Sequence, residues 1–248
     1  MHASSWLRCR TPKPSAGTRV VCLAHAGGSA SFYNSWGSAA PAGVEVVAVQ
    51  YPGREDRLSE PFAEGMAQLA SRIAAALSTL DDRPTILFGH SLGAVVAYEV
   101  ARVLGHRLGR PLDGVVVSGR RAPSDPPGGG VHLMPDDAVV EELVRLGGTT
   151  GELLDIPGAR EVFLPAIRAD FRLAETYRHV PGVELDCPVT AVIGTEDTEV
   201  DAGQAALWAA HTSGGFALRT FPGGHFYLLD HAAAVFDLFA SPSVPKRG

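Results

Sequence analysis

The sequence predicts an α/β fold: a mostly parallel central sheet with helices on both faces and a helical cap inserted over its top. Short apolar runs alternate with stretches of helical spacing along most of the chain, and such alternation demands crossover connections between parallel strands. One of these runs leads straight into Gly89-His90-Ser91-Leu92-Gly93 and then a helical stripe, the setting of a sharp strand-to-helix turn. Between residues 120 and 181 the alternation lapses into two helical patterns with no strand.

Residues 19–23 (RVVCL) and 44–51 (VEVVAVQY) read as strands bounded by Gly, Pro or Ser clusters, with a glycine-rich loop between them. Met66, Leu69, Ala70, Ile73, Ala74, Leu77 and Leu80 then fall at helical spacing. Residues 85–88 (TILF), preceded by Asp82-Arg83-Pro84, read as a buried strand entered from a turn. Past Ser91, the positions Leu92, Val95, Val96, Val100, Val103 and Leu104 line one face of a helix. Residues 112–118, 188–194 and 216–221 supply the remaining strands, and a helical stretch over 202–211, with Asp201 as its N-cap, separates the last two.

Within 120–181 a Pro/Gly-rich lead-in over 122–130 precedes two amphipathic stripes. Val139, Val140, Leu143, Val144 and Leu146 form the first, and Phe163, Ile167, Phe171 and Ala174 the second. Each must bury its apolar face against something. Their place after the strand that follows Ser91 makes a cap the expected solution, with Pro126-Pro127-Gly128-Gly129-Gly130 as a candidate hinge. The expected organisation is one domain over 1–248 with a helical lid at about 120–181.

A chain of 248 residues, 46 % of them hydrophobic, has enough material for one substantial core. A net charge of −6 argues against a nucleic-acid surface, which needs clustered Lys and Arg. Cys9, Cys22 and Cys187 form no C-x-x-C pair, so neither a disulfide framework nor a zinc site is expected, and a reducing interior is. No apolar stretch is long enough to span a membrane and no secretory h-region precedes Pro14, which points to a cytoplasmic protein.

Gly89 and Gly93 leave room for a strained apex, so Ser91 is the candidate nucleophile. Serine is a weak nucleophile at its own pKa and needs a base, itself oriented by a third group. His225 follows the last strand directly on a Gly-loosened loop, Pro222-Gly223-Gly224-His225-Phe226, where catalytic groups gather in open α/β sheets. His2, His106, His132, His179 and His211 lack that support, and His90 would leave the turn in another direction. The orienting carboxylate is expected between Ser91 and His225 in chain order. Asp197, just past the strand at 188–194, is the choice, with Glu196 and Glu199 as competitors in the same loop and Asp186 at the strand's wrong end. Oxyanion donors are expected from the Leu92 N–H and from the loop after the first strong strand, where Ala26 is the favoured residue.

Taken together, His25-Ala26-Gly27-Gly28, Tyr51-Pro52-Gly53-Arg54-Glu55, Gly89-His90-Ser91-Leu92-Gly93, Gly194-Thr195-Glu196-Asp197 and Gly223-Gly224-His225-Phe226 resemble the type II thioesterases of polyketide and nonribosomal peptide assembly lines, members of the α/β-hydrolase superfamily. The elbow is shared with esterases and lipases, whereas the H-A-G-G loop followed by Y-P-G-R-E is more specific to this family. The resemblance implies a discrete monomeric serine hydrolase without a cofactor. It implies removal of acyl groups from the phosphopantetheine arm of acyl or peptidyl carrier proteins, with a triad of Ser91, Asp197 and His225 and oxyanion donors Ala26 and Leu92. Two other functions fit the triad's fold: a carboxylesterase or lipase acting on oxygen esters, and a binding protein without turnover. Arg54 and Arg57 are expected to form surface ion pairs with Glu55 and Asp56 rather than to meet a carrier. Arg120 and Arg121 pose the same choice, but acidic residues outnumber basic ones across the cap, so broad capture of an acidic carrier is not expected.

Overall fold

The computed structural model describes residues 5–125, 128–147, 154–182 and 184–240, so His2 and the Pro126-Pro127 part of the expected hinge lie outside the described residues. One sheet contains β1 (Leu7–Arg8), β2 (Thr18–Leu23), β3 (Val44–Val49), β4 (Thr85–His90), β5 (Gly114–Ser118), β6 (Val189–Gly194) and β7 (Phe216–Phe221) in the order β1-β3-β2-β4-β5-β6-β7. All pairs from β3 across to β7 are parallel, and only β1 runs antiparallel, on the edge beside β3. β3 and β5 are buried along their whole length, as strands covered on both faces must be.

The helices are α1 (Asn34–Ala39), α2 (Met66–Leu77), α3 (Leu92–Arg102), α4 (Asp136–Leu146), α5 (Ala159–Thr176), α6 (Ala202–Ala206) and α7 (Ala232–Ala240). The six expected strands are present with ends shifted by a few residues. The stretch expected to be helical over 202–211 divides into α6 and a 3-10 segment, Leu207–His211. Asp201 is the N-cap as expected: its carboxylate accepts the Gln204 N–H at 2.8 Å, and the Gln204 side chain accepts the Asp201 N–H at 3.0 Å. The edge strand β1 has no sequence signature, because two residues are too few to show a period. It is held by register with Val49 and by the Gln50 N–H donating to the Trp6 carbonyl at 2.8 Å.

An aromatic cluster binds α1 and α7 to the sheet. The Trp36 ring lies 5.0 Å from Phe88 of β4 and 5.2 Å from Phe236 of α7, and Phe88 lies 5.8 Å from Phe239. The cap has a smaller core of its own, formed by Val139, Val140, Leu143, Leu154, Leu164 and Ile167, while Leu173 at the far end of α5 joins the main core. Among the described residues no helix is long and apolar enough to cross a membrane.

Candidate active site

β4 ends at His90 and α3 begins at Leu92, so Ser91 alone makes the turn. Its backbone sits at φ 54 and ψ −117, a sparsely populated conformation that costs about 1–3 kcal/mol and is kept only where the surroundings enforce it. The enforcement is visible: the Ser91 N–H donates to the Ser118 carbonyl at 2.8 Å, and the Ser91 carbonyl accepts the Ala94 N–H at 3.0 Å. Both flanking glycines are obligatory. A Cβ on Gly89 would lie 2.0 Å from the Gly93 carbonyl oxygen, and one on Gly93 would lie 2.1 Å from that of Leu23. Gly93→Ala is therefore expected to lower the unfolding free energy in urea by about 3 kcal/mol. Gly17→Ala, where a Cβ meets nothing within 4 Å, is the control and should stay within about 0.5 kcal/mol of wild type.

The loops after β6 and β7 are laced together, and this brings Asp197 to His225. The Thr195 N–H donates to the Phe221 carbonyl at 2.8 Å and the Glu196 N–H to the Gly223 carbonyl at 2.9 Å. Gly194 permits the approach, since a Cβ there would lie 2.3 Å from the carbonyl oxygens of both Gly223 and Gly224. His225 Nδ1 is 3.0 Å from Asp197 Oδ2 and 3.1 Å from Oδ1. The Asp197 side chain is 0 % exposed, and its Oδ1 also accepts the Glu199 N–H at 2.9 Å. With Nδ1 engaged, Nε2 is the nitrogen left to face the pocket.

Behind His225 lie two more imidazoles, His90 at 4.9 Å between ring centroids and His25 at 6.0 Å from His90. His90 does turn away from the elbow, and its Nδ1 pairs with Ser118 Oγ at 2.9 Å, which in turn pairs with the Tyr227 hydroxyl at 2.7 Å. Gly119 packs against both rings, a Cβ there falling 2.8 Å from His90 Cε1 and 3.1 Å from His225 Cε1. Burial, reinforced by the charge His225 can carry, pushes the His90 imidazole well below its ordinary range and lowers His25 to about 3. Both are neutral in the fold but take a proton in the unfolded chain below about pH 6.5. Stability should therefore be unaffected by these groups above pH 6.5 and fall as the pH drops from there toward 3, by up to about 1.4 kcal/mol per pH unit for each imidazole. Urea titrations at pH 7 and pH 4.5 measure the slope.

Ser91, Leu92, Ala26 and His225 line one cavity of about 90 Å³ together with Val131, Leu146, Phe171, Ala174 and Glu175 of the 120–181 segment. The Ser91 hydroxyl makes no hydrogen bond to the imidazole in this state. Leu92 opens α3, so its N–H is a first-turn donor that the helix itself leaves unsatisfied. Ala26 lies in a tight turn closed by the Gly28 N–H donating to the His25 carbonyl at 3.0 Å, with Gly27 at φ 75. Among the described residues no group of three or more His, Cys, Asp or Glu is placed to hold a metal ion.

The arginines sit elsewhere than expected. Arg54 is buried and pairs not with Glu55 but with Asp170 of α5, at 2.6 and 2.8 Å. Arg57 is buried under the Trp6 ring, 4.0 Å from its centroid, and pairs with Glu60 rather than Asp56. Sequence spacing favoured the neighbouring carboxylates, but a guanidinium seeks a bidentate partner wherever the fold supplies one. Arg120 and Arg121 both line the cavity. Burial draws the Arg120 guanidinium down to about 10, and Arg121 Nε donates to the Glu199 carbonyl at 2.9 Å.

The family model of the thioesterase domain matches residues 18–241. The chain is 45 % identical over 226 residues to thioesterase PikA5 of Streptomyces venezuelae, an alignment covering 91 % of this chain and 80 % of that one. Among solved structures it resembles the type II thioesterase BorB of the borrelidin biosynthetic cluster, with a TM-score of 0.89, 43 % identity and coverage of 98 % and 99 % of the two chains. It also resembles the RedJ thioesterase of the prodiginine pathway in Streptomyces coelicolor, with a TM-score of 0.83, 36 % identity and coverage of 92 % and 88 %. On the match across residues 18–241 and these likenesses, the chain belongs to the thioesterase family, as an α/β-hydrolase-fold enzyme of the type II kind found in polyketide and nonribosomal peptide biosynthesis.

Proposed function

We propose that this thioesterase clears acyl groups from the phosphopantetheine arm of acyl or peptidyl carrier proteins by way of an acyl-Ser91 ester, acting as a cytoplasmic monomer without a cofactor. The observation that carries the proposal is the convergence on one cavity of Ser91, the Asp197-backed His225 and the backbone at Ala26 and Leu92. His225 Nε2 takes the hydroxyl proton as Ser91 Oγ attacks the thioester carbonyl, and the two N–H groups receive the charge that develops on its oxygen. The pantetheine thiol leaves with the proton carried by His225. Water, deprotonated by the same imidazole, then cleaves the ester and frees the acid and the serine. The Ser91–His225 hydrogen bond forms as substrate enters, as it does in many enzymes whose catalytic contacts are loose when empty.

The test is a panel of acyl groups loaded on a purified carrier protein, followed by intact mass. Release of acyl groups by wild type and none by Ser91→Ala is the expected outcome, and retention of every acyl group by wild type would overturn the proposal. An oxygen-ester hydrolase would instead show the higher specificity constant on the oxyester of a matched oxyester–thioester pair. A binding protein would fail to react with a serine-directed fluorophosphonate.

A further inference from the structure

The turn that carries the Ala26 N–H is held from two sides, by α5 of the 120–181 segment and by Arg54 of the loop after β3. The Gly27 N–H donates to Asp170 Oδ2 at 2.8 Å, and the Gly28 carbonyl accepts from Arg54 Nη1 at 2.9 Å. Arg54 and Asp170 close the circuit with two hydrogen bonds of 2.6 and 2.8 Å, and the residues are 7 % and 4 % exposed. Gln50, fully buried, steadies the same assembly by donating to the Arg54 carbonyl at 3.1 Å and accepting the Ala30 N–H at 3.0 Å. One turn earlier on α5, Ile167 lies so close to Gly27 that a Cβ there would meet its Cγ1 at 2.8 Å. α5 thus grips the turn with a side chain above it and a carboxylate beside it.

The grip acts on the central peptide unit of the turn. Ala26 and Gly27 are the two central residues, and the amide joining them is free to flip by rotation about their ψ and φ, a motion that leaves the turn's ends in place. Its N–H is the group bound to Asp170. Because the peptide is planar, fixing that N–H fixes the Ala26 carbonyl opposite it and so holds ψ of Ala26, while the bond from Arg54 to the Gly28 carbonyl holds the far end; together they set where the turn, and the His25–Ala26 amide that begins it, sits over the elbow. The charges add to this: a carboxylate buried with a guanidinium stays put, since separating the two would strand each without water.

We propose that Asp170, held by Arg54, is a positioning residue for the oxyanion donor Ala26, so that the seating of cap helix α5 sets the geometry that receives the developing charge. This inference rests on the acyl-Ser91 mechanism above. It assigns to the cap a catalytic consequence beyond covering the acyl group: any movement of the cap that leaves α5 docked keeps the enzyme competent, and one that lifts α5 switches it off.

Two variants test it, Asp170→Ala, which takes the acceptor away from the Gly27 N–H, and the apolar pair Arg54→Met with Asp170→Leu, which removes that acceptor and both charges together. Propionyl-pantetheine is the substrate, and two inhibitors are compared. A trifluoromethyl ketone analogue forms a Ser91 adduct whose oxyanion occupies the donor site, and a non-hydrolysable thioether analogue binds without forming one. The expected result is a kcat lower by about 10²-fold in folded protein, with KM within about threefold. Affinity for the ketone should fall in the same proportion, and affinity for the thioether should be unchanged. Wild-type kcat in either folded variant, or an equal loss of affinity for both inhibitors, would overturn the inference. Failure of Ser91→Ala to abolish turnover would instead overturn the mechanism on which it rests, so the two failures are distinguishable.

Discussion

Ser91→Ala is expected to lower kcat for an acyl-pantetheine by about 10⁶-fold with little change in KM, the scale seen when a triad loses its nucleophile. The substitution removes one oxygen atom. The backbone at φ 54 was already strained with serine present, and alanine bears the same Cβ, so the elbow should hold its shape. On the proposed mechanism, what survives is the contribution of the two N–H donors and of binding, worth about 10³–10⁴ over water in comparable sites. The experiment compares single-turnover rates and looks for an acyl adduct on residue 91 by intact mass. A kcat within tenfold of wild type, or an adduct formed on the Ser91→Ala protein, would show that another group attacks the carbonyl.

Much of this site was legible in the sequence because steric necessity writes itself into residue choice. Gly89 and Gly93 are glycines because their Cβ positions are occupied by backbone carbonyls, and a G-x-S-x-G pattern between a strand and a helix records that crowding. The glycines before His225 mark its loop in the sequence, and Gly194 in the facing loop is the residue whose missing Cβ lets the two loops pass. Chain order and the shorter side chain on a strand-end loop favour Asp197 over Glu196 and Glu199, and the structure sets Asp197 against the imidazole while Glu199 turns to Arg145. What stayed hidden is contact between residues far apart in the chain. Arg54 and Asp170 are 116 positions apart, and nothing in either neighbourhood distinguishes them from solvated charges. The apolar run of α7 likewise gains its meaning only from Trp36 and Phe88, to which it adds a wall.

Asp197→Asn is expected to lower kcat by about 10⁴-fold, more than the loss of a hydrogen bond alone would explain. The carboxylate accepts from His225 Nδ1 with both oxygens and takes the Glu199 N–H on Oδ1. An asparagine in that place keeps its carbonyl toward the Glu199 N–H and turns its amide N–H₂ toward Nδ1, so the ring meets a donor where it had an acceptor. The imidazole then adopts the tautomer with its proton on Nε2, the nitrogen that must be empty to accept the hydroxyl proton. Full burial of the side chain prevents water from restoring an acceptor. The exposed neighbour Glu196, whose backbone but not side chain ties the two loops, serves as control, and Glu196→Gln should stay within threefold of wild type. Near-normal turnover in Asp197→Asn, measured alongside unchanged reactivity of Ser91 toward a fluorophosphonate, would show that His225 keeps its working tautomer without this carboxylate.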